Sequence, residues 1–305
     1  MIKLADALTS GDHVCAVPDS TEHLGELAAA YVAHGLDRGE RILYFDDDGA
    51  ADVLLRRLVE DGVEVDDPLR HGQLEILPPE RTRRTFRTPL SEVHAGMSGE
   101  VARSRELGWN GTRMTGQMHS VLEAGAAGTL PEYDGLLARL VRESAGGLTA
   151  LCTYDTEHFP AEQIDIMRAL HRDHVPCSTA YDDGLLRIVR LGTGHARLAG
   201  EVDHSNRSKI TSLLHSALDA ALRSADASTD IGLDLASVRF VDVATAVALV
   251  HAAEGFPATH RLVLHRVRPR VLRVLERCGA AFSPQLVFDD HPPAPGVVHP
   301  GGQLR

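Results

Sequence analysis

The chain has 305 residues, of which 43% are hydrophobic and 4% aromatic, and its formal net charge is −12. This length accommodates two domains of ordinary size, and the acidic balance argues against nucleic acid as the main partner, because phosphate binding requires a basic surface. None of the four cysteines forms a CxxC pair, which argues against a secretory disulfide framework. No window approaches the ~20 apolar residues that span a bilayer. We therefore expect a soluble cytoplasmic protein without a membrane partner.

Strand and helix signals alternate along the first half of the chain. Buried strands are predicted at His13–Pro18, Arg41–Asp46, Gln73–Pro78 and Leu148–Asp155, with a short strand inside "NGTRMTGQM". Helices are predicted between and after them at "STEHLGELAAAYVAHGLDRG", "GAADVLLRRLVEDG", "LSEVHAGMSGEVARSRELG", "LPEYDGLLARLVRES" and "PAEQIDIMRALHRDH". This alternation predicts an α/β fold with a parallel sheet that is covered by helices on both faces.

The pattern changes near residue 190. The Gly-containing segment "LGTGHA" at 191–196 is interpreted as a linker between a first domain at 1–190 and a second, smaller α/β domain at 197–290. The second domain is predicted to contain helices at "SNRSKITSLLHSALDAALRS", "VATAVALVHAAEG" and "PRVLRVLERCG". The tail at 291–305 is rich in Pro and Gly and is predicted to be disordered.

Three segments of the second half carry a resemblance to a known family: the opening "GEVD", the strand and turn "LDLASVRFVD", and the closing "VLRVLERCG". In this order they resemble a STAS domain over residues 196–290, a family that includes anti-sigma-factor antagonists. The resemblance implies an anti-sigma factor or a serine-kinase-type regulator as partner, bound through the turn at Asp242, Val243, Ala244 and Thr245.

In antagonists of the STAS family this turn resembles D-S-S-G, and a partner kinase phosphorylates the Ser that follows the Asp. That position is Val243 here and Ala244 follows it, so the usual hydroxyl is absent. Thr245 could accept phosphate only in a shifted geometry, and a local hydrogen bond is the alternative role. Asp242 is also suited to capping the helix that follows it.

The first half resembles the MEDS family, a sensory domain that is itself similar to RecA/KaiC-type ATPase cores. The resemblance rests on "GDHVCAVPDS", "GWNGTRMTGQM" and "LCTYD", and it spans residues 8–180. It implies a small organic ligand. A P-loop is lacking, because "AVPDSTEHLGE" holds neither a Gly-rich turn nor a Lys where that motif would stand. The acidic run at 46–48 is interpreted as a solvated turn rather than a Mg²⁺ site.

Ligands of doubly wound sheets bind at the carboxyl ends of the strands. Residues of the first and last predicted strands could therefore face one crevice, and two residues near "GTRM" could add a charge and a stacking surface. For each residue taken alone, burial in the core is the alternative. The predicted ligand-binding residues are His13, Cys15, Asp19, Ser20, Trp109, Arg113, Cys152, Tyr154 and Asp155.

One spacing is compatible with zinc: His171, His174 and Cys177 in "HRDHVPC". However, Pro176 interrupts the helix and no fourth ligand is evident, so histidines at a helix C-terminus are the preferred interpretation and no metal is predicted. No cofactor is identified.

These patterns together predict a non-enzymatic signalling regulator in which a ligand-sensing domain controls a partner-binding STAS domain. The alternatives are a degenerate RecA-like nucleotide-binding enzyme and a constitutive scaffold without a ligand. An exposed sheet edge in either domain is compatible with a homodimer.

Overall fold

The computed structural model describes residues 8–18, 20–47, 49–122, 125–126, 128–175, 179–192, 194–223 and 229–291. The chain divides into two compact units, Met1–Cys177 and Ser178–Arg305. Within the described part, no helix combines the length and the apolar character needed to cross a membrane.

The first unit is built on a six-stranded sheet in the order β3-β2-β4-β5-β1-β6, and all of its strand pairs are parallel. The strands are β1 (His13–Ala16), β2 (Arg41–Phe45), β3 (Leu74–Leu77), β4 (Thr112–Gln117), β5 (Leu148–Thr153) and β6 (Asp173–Val175). The helices are α1 (Thr21–Asp37), α2 (Ala50–Glu60), α3 (Asp66–Arg70), α4 (Pro79–Arg87), α5 (Leu90–Glu106), α6 (Leu130–Glu143) and α7 (Ala161–Leu170), with a 3₁₀ turn at His119–Leu122. The predicted α/β class with a parallel sheet is confirmed.

Side chains alternate between the two faces of this sheet, as the two-residue period of a strand requires. In β1, Val14 packs in an apolar cluster with Tyr31 of α1, whereas Cys15 packs in a second cluster with residues of α4 to α7. β2 repeats the division, with Ile42 on the first face and Leu43 on the second. The face that carries Cys15 and Leu43 is the one on which the candidate site lies.

Several helix boundaries follow from local chemistry. The Ser20 hydroxyl accepts a hydrogen bond from the His23 backbone N–H at 3.3 Å and so caps α1. Gly39 follows that helix with φ +68°, a conformation that glycine adopts without steric cost. Thr129 and Glu132 form a capping box at the start of α6.

The second unit contains a mixed six-stranded sheet in the order β12-β11-β10-β9-β8-β7, in which β9 to β12 pair in parallel and β7 to β9 pair antiparallel. The strands are β7 (Thr179–Asp182), β8 (Leu186–Gly192), β9 (His195–Val202), β10 (Asp230–Val241), β11 (Arg261–His265) and β12 (Leu286–Asp289). The helices are α8 (Arg207–Arg223), α9 (Val243–Glu254) and α10 (Pro269–Arg277), with a 3₁₀ turn at Ala280–Phe282.

The structure places the division between the units earlier than the expected linker at 191–196. Arg190 pairs with Ala196, and Gly192 pairs with His195, so this segment is the turn of the β8–β9 hairpin. A short Gly-containing turn and a short linker have the same local composition, and only the strand pairing distinguishes them. Most of the predicted disordered tail, at 292–305, lies outside the described residues.

Candidate functional site

Two adjacent parallel strands bring the first pair of predicted site residues together. β1 and β5 pair with His13 opposite Ala150 and Cys15 opposite Cys152, so that His13 and Cys152 lie on the same face of the sheet. His13 Nε2 lies 3.5 Å from Cys152 Sγ. The predicted proximity of these two strands is therefore observed for His13 and Cys152.

Two residues from the covering helices complete the group. Asp134 of α6 places Oδ1 3.5 Å from His13 Nε2 and 2.9 Å from the Nε2 of His171, which ends α7. The rings of His13 and His171 are 4.5 Å apart between centroids. We refer to His13, Asp134, Cys152 and His171 as the buried polar cluster. Their ligand-type atoms all lie within 4.8 Å of one another.

Burial governs the protonation of two residues of this cluster, His13 and Cys152. It lowers the pKa of His13 to about 4, with a smaller contribution from neighbouring His171 and partial compensation by Asp134. Burial also raises the pKa of the Cys152 thiol, and the negative charge of Asp134 adds to that effect. At neutral pH His13 is therefore an uncharged imidazole and Cys152 a thiol. The hydroxyl of Tyr154 donates a hydrogen bond to Asp134 Oδ1 at 3.3 Å.

An apolar cavity adjoins the cluster on the same face of the sheet. Its volume is about 40 Å³, and Cys152 belongs to both its wall and the cluster. Its lining side chains are nearly all carbon and sulfur: Phe45, Phe86, Met97, Met114, Met118, Tyr133, Leu136, Leu137 and Ala150, with Thr115, Gly116 and Gln117. A second, more polar pocket between β2, β3, α4 and α5 shares Phe45, Met97 and Met114 with this cavity. Sequence reasoning missed the cavity, because its wall is formed by six elements, β2, β4, β5, α4, α5 and α6, that are spread along the chain.

Asp155 belongs to a different place, the carboxyl edge of the sheet. Its Oδ1 lies 2.6 Å from His158 Nδ1, and the ring of His158 stacks on His119 with centroids 4.5 Å apart. His119 Nε2 in turn lies 3.0 Å from Asp47 Oδ2. The prediction of a solvated acidic turn at 46–48 is wrong for Asp46 and Asp47, which are both buried. Asp48 lies outside the described residues.

Two further predicted ligand residues, Arg113 and Trp109, are not brought into this site. Arg113 is fully buried and ion-paired with Glu40, and its guanidinium lies over the Tyr31 ring. Trp109 precedes β4, so it lies at the amino end of the sheet, opposite the edge that carries Asp155. Neither placement supports the predicted charge and stacking roles of Arg113 and Trp109 in this site.

The other candidates are placed as follows. Cys15 is buried in the apolar cluster beside β5, and Ser20 serves as the cap of α1. Asp19 and Cys177 lie outside the described residues. His174 lies on β6 opposite Cys15 of β1 in the strand register. Among the residues that the structure describes, it does not join His171 in a group of potential metal ligands. His171 and His174 do not share a helix face, as the zinc spacing required, because the chain leaves the helix at His171 and continues as a strand.

In the second unit, β10 delivers Asp242 to the start of α9. Its Oδ1 accepts a hydrogen bond from the Thr245 backbone N–H at 2.6 Å, and its Oδ2 accepts one from Arg207 Nη2 at 3.0 Å. Val243 is 65% exposed and the neighbouring Phe240 is 49% exposed, and Ala244 is also exposed. Thr245 is buried rather than exposed on a partner surface, and its hydroxyl accepts a hydrogen bond from Arg207, the local role that was the alternative to phosphorylation.

We expect Asp242→Ala to lower the free energy of unfolding of the second unit by about 0.5–2 kcal/mol, the usual effect of losing an N-cap. Burial would raise the Asp242 pKa, but hydrogen bonds from Thr245 and Arg207 outweigh it and lower that pKa. This stabilisation is therefore fully present above the carboxyl's unfolded pKa and is lost as the pH falls through the lower, folded pKa.

Urea unfolding of the full chain at several pH values measures both effects. Asp242→Asn keeps an oxygen at the cap, so it should cost less than Asp242→Ala and should remove the pH dependence. Equal losses for the two variants would show that the cap is not what stabilises this turn.

Comparisons with known proteins bear on both halves of the chain. The family model described as MEDS, the methanogen/methylotroph DcmR sensory domain, matches residues 12–172. The family model described as "Mlab, STAS domain" matches residues 191–282. Both resemblances seen in the sequence are thereby confirmed, including the STAS-type nature of the second α/β domain.

Among solved structures, the chain is similar to the flagellar accessory protein FlaH from Methanocaldococcus jannaschii, with 14% identity and a TM-score of 0.43 over 60% of this chain and 79% of that one. A likeness at this level carries no argument about the site. No curated protein matches the chain.

Proposed function

This chain belongs to the MEDS family, and from that premise and the STAS domain that follows we propose that it is a non-enzymatic signalling regulator controlled by a small organic molecule. The molecule binds in the apolar cavity of the first unit. The STAS domain binds a protein partner, an anti-sigma factor or a serine-kinase-type regulator, through the surface around Val243. Ligand binding favours one of two states of the protein that differ in partner affinity.

The apolar cavity is the observation that carries the proposal. A concave site lined by aliphatic, aromatic and thioether groups, with a few polar groups at one end, is typical of small-molecule binding. Three of its side chains, Met97, Met114 and Met118, are flexible and polarisable, so that the wall adapts to different shapes. The lining carries no charged side chain. We therefore expect an uncharged, largely apolar ligand.

The cluster next to the cavity does not have the arrangement of a nucleophilic enzyme. In a Cys–His–Asp triad the base contacts the nucleophile through one ring nitrogen and the carboxylate through the other. Here the same atom, His13 Nε2, lies 3.5 Å from both Cys152 Sγ and Asp134 Oδ1. The Cys152 pKa is raised rather than lowered, which disfavours the reactive thiolate. These features support a non-enzymatic role.

The STAS surface around Val243 supports a docking site that phosphorylation does not control. Val243 stands at the position where the family pattern has a phosphorylatable Ser. Its side chain is apolar and exposed beside Phe240. Exposed apolar groups at a strand end are suited to a protein interface. Because no hydroxyl is present at Val243 or Ala244, control of the partner falls to the ligand of the first unit.

Native mass spectrometry of the full chain, purified from its own cells and compared before and after denaturation, tests the ligand directly. We expect a small organic adduct that is released on denaturation and that also raises the melting temperature when added back. Absence of an adduct, together with no thermal shift from a panel of small apolar molecules, would favour the ligand-free scaffold.

Leu136→Phe is expected to abolish ligand binding while leaving the unfolding free energy within about 1 kcal/mol, because the larger ring enters existing space. Leu140→Phe is the matched control: Leu140 lies one turn along α6, is buried, and does not line the cavity. Its larger ring meets a filled core and should cost about 1–3 kcal/mol. Isothermal titration with the identified ligand and urea unfolding measure the two effects. Equal destabilisation by both variants would show that the cavity cannot accept extra atoms.

A further inference from the structure

We propose that the buried polar cluster is a binding site for a transition-metal ion of the zinc class, with His13, Asp134, Cys152 and His171 as its four ligands. The four side chains come from four different elements, β1, α6, β5 and the end of α7. Imidazole, thiolate and carboxylate are the donors that zinc takes in proteins, and four of them make a closed tetrahedral site.

The spacing of the donors fits one ion. Metal–ligand bonds of about 2.0–2.3 Å in a tetrahedral zinc site place neighbouring donor atoms about 3.3–3.8 Å apart. His13 Nε2 is 3.5 Å from Cys152 Sγ and 3.5 Å from Asp134 Oδ1, while His171 Nε2 and Asp134 Oδ1 are closer together, at 2.9 Å, and would move apart on binding the ion. All four donors lie within 4.8 Å of one another, so small side-chain adjustments are enough to centre an ion among them.

His171 gives an independent indication that a cation belongs here. Its side chain is fully buried, and its Nδ1 lies 2.9 Å from the Met167 carbonyl oxygen, so that Nδ1 carries the hydrogen and donates it. In the neutral ring Nε2 then presents a lone pair, yet it lies 2.9 Å from Asp134 Oδ1 and makes no hydrogen bond among the described residues. A buried lone pair facing a carboxylate is unfavourable unless a proton or a metal ion lies between them.

The contact to Met167 favours the metal. A metal-bound histidine commonly donates its second ring N–H to a backbone carbonyl, which fixes the tautomer and aims the other nitrogen at the ion. The other two side chains also favour a metal ion. A proton on His171 would explain why Asp134 lies close to it, but not why Cys152 and His13 converge on the same point. On binding, the Cys152 thiol releases its proton to solvent and the sulfur joins the ion as thiolate.

The test loads the full-length protein with Zn²⁺ or Co²⁺ after treatment with a chelator. We expect one tightly bound equivalent by elemental analysis and native mass spectrometry, a higher melting temperature, and a Co²⁺ spectrum with a thiolate charge-transfer band and the strong visible bands of tetrahedral coordination. A protein that retains less than about 0.1 equivalent of metal, with no shift in melting temperature, overturns the proposal and leaves a protonated His171 as the cation.

Matched cysteine variants locate the site. Cys152→Ser is expected to remove the thiolate band and to weaken Zn²⁺ binding at least tenfold, whereas Cys15→Ser, at the paired position on the neighbouring strand, keeps both. Asp134→Asn should weaken binding while retaining the thiolate band. A thiolate band that survives Cys152→Ser overturns the assignment. His158→Gln alters the separate group at the carboxyl edge and should leave the Co²⁺ spectrum unchanged. Loss of the spectrum in that variant would place the metal at the carboxyl edge and contradict the proposal.

The metal site does not depend on the ligand of the cavity. Leu136→Phe is expected to lose the organic ligand and retain the metal, since Leu136 lines the cavity and contributes no donor atom. Failure of the cavity proposal and failure of the metal proposal are therefore separate results.

Discussion

Arg113→Met is expected to destabilise the first unit by about 3–5 kcal/mol, because it leaves the Glu40 carboxylate buried without its main partner. Arg113 and Glu40 are 0% and 2% exposed, and the guanidinium also donates to the backbone carbonyls of Leu8 and Tyr31 at 2.7 and 3.2 Å. Breaking a buried charge pair from one side is costly, since the Glu40 carboxylate then keeps only the partly exposed Arg38 as a counterion.

Urea unfolding of two further variants makes the test specific. Glu40→Gln combined with Arg113→Met should recover a large part of the loss, because no charge then remains buried. Arg38→Met is the matched control: Arg38 Nε lies 3.5 Å from the same carboxylate, but its side chain is 45% exposed, so its removal should cost less than about 1 kcal/mol. If Arg113→Met keeps its stability and instead loses a small-molecule ligand, Arg113 has the binding role that its sequence context suggested.

The sequence predicted the elements of the first sheet better than it predicted the site. Apolar runs such as 41–46 and 148–155 are long enough to identify buried strands, and their alternation with helices is sufficient to predict a parallel sheet. Strands β6 to β8 were missed for three reasons. Asp173–Val175 has only three residues, and Thr179–Asp182 has four residues without a continuous apolar run. Leu186–Gly192 runs into a turn whose composition resembles a linker.

The site was predicted only where adjacent strands determine proximity. His13 and Cys152 could be expected to meet, because His13 lies on β1, Cys152 lies on β5, and neighbouring parallel strands align their residues. Asp134 and His171 could not, because their approach depends on how α6 and α7 pack over the sheet, which no local pattern in the sequence encodes. Arg113 was misplaced for a related reason: its position near a family-like motif says nothing about whether its side chain meets a ligand or a buried carboxylate.

In the second unit, Val243→Asp is expected to weaken the affinity for the proposed protein partner at least about tenfold. An unpaired charge buried in an apolar interface costs more than the 1.4 kcal/mol to which a tenfold change corresponds. The substitution imitates the negative charge that phosphorylation introduces at this turn in related antagonists. It should not disturb folding, because Val243 is 65% exposed and the Asp242 cap remains intact.

Binding should be measured by titration calorimetry with each purified anti-sigma factor or serine-kinase-type regulator that scores in a two-hybrid panel. Leu222→Asp is the matched control, since Leu222 is 54% exposed but lies near the other end of α8 from Arg207, about 22 Å along the helix axis. Val243→Ser should bind as the parent chain does until a kinase phosphorylates it, and then lose affinity as Val243→Asp does. If Val243→Asp and Leu222→Asp reduce binding equally, or neither does, the partner docks elsewhere on the domain. A selective loss at Val243 would mean that this STAS surface has kept its interface while its control has moved from a covalent phosphate to the first unit.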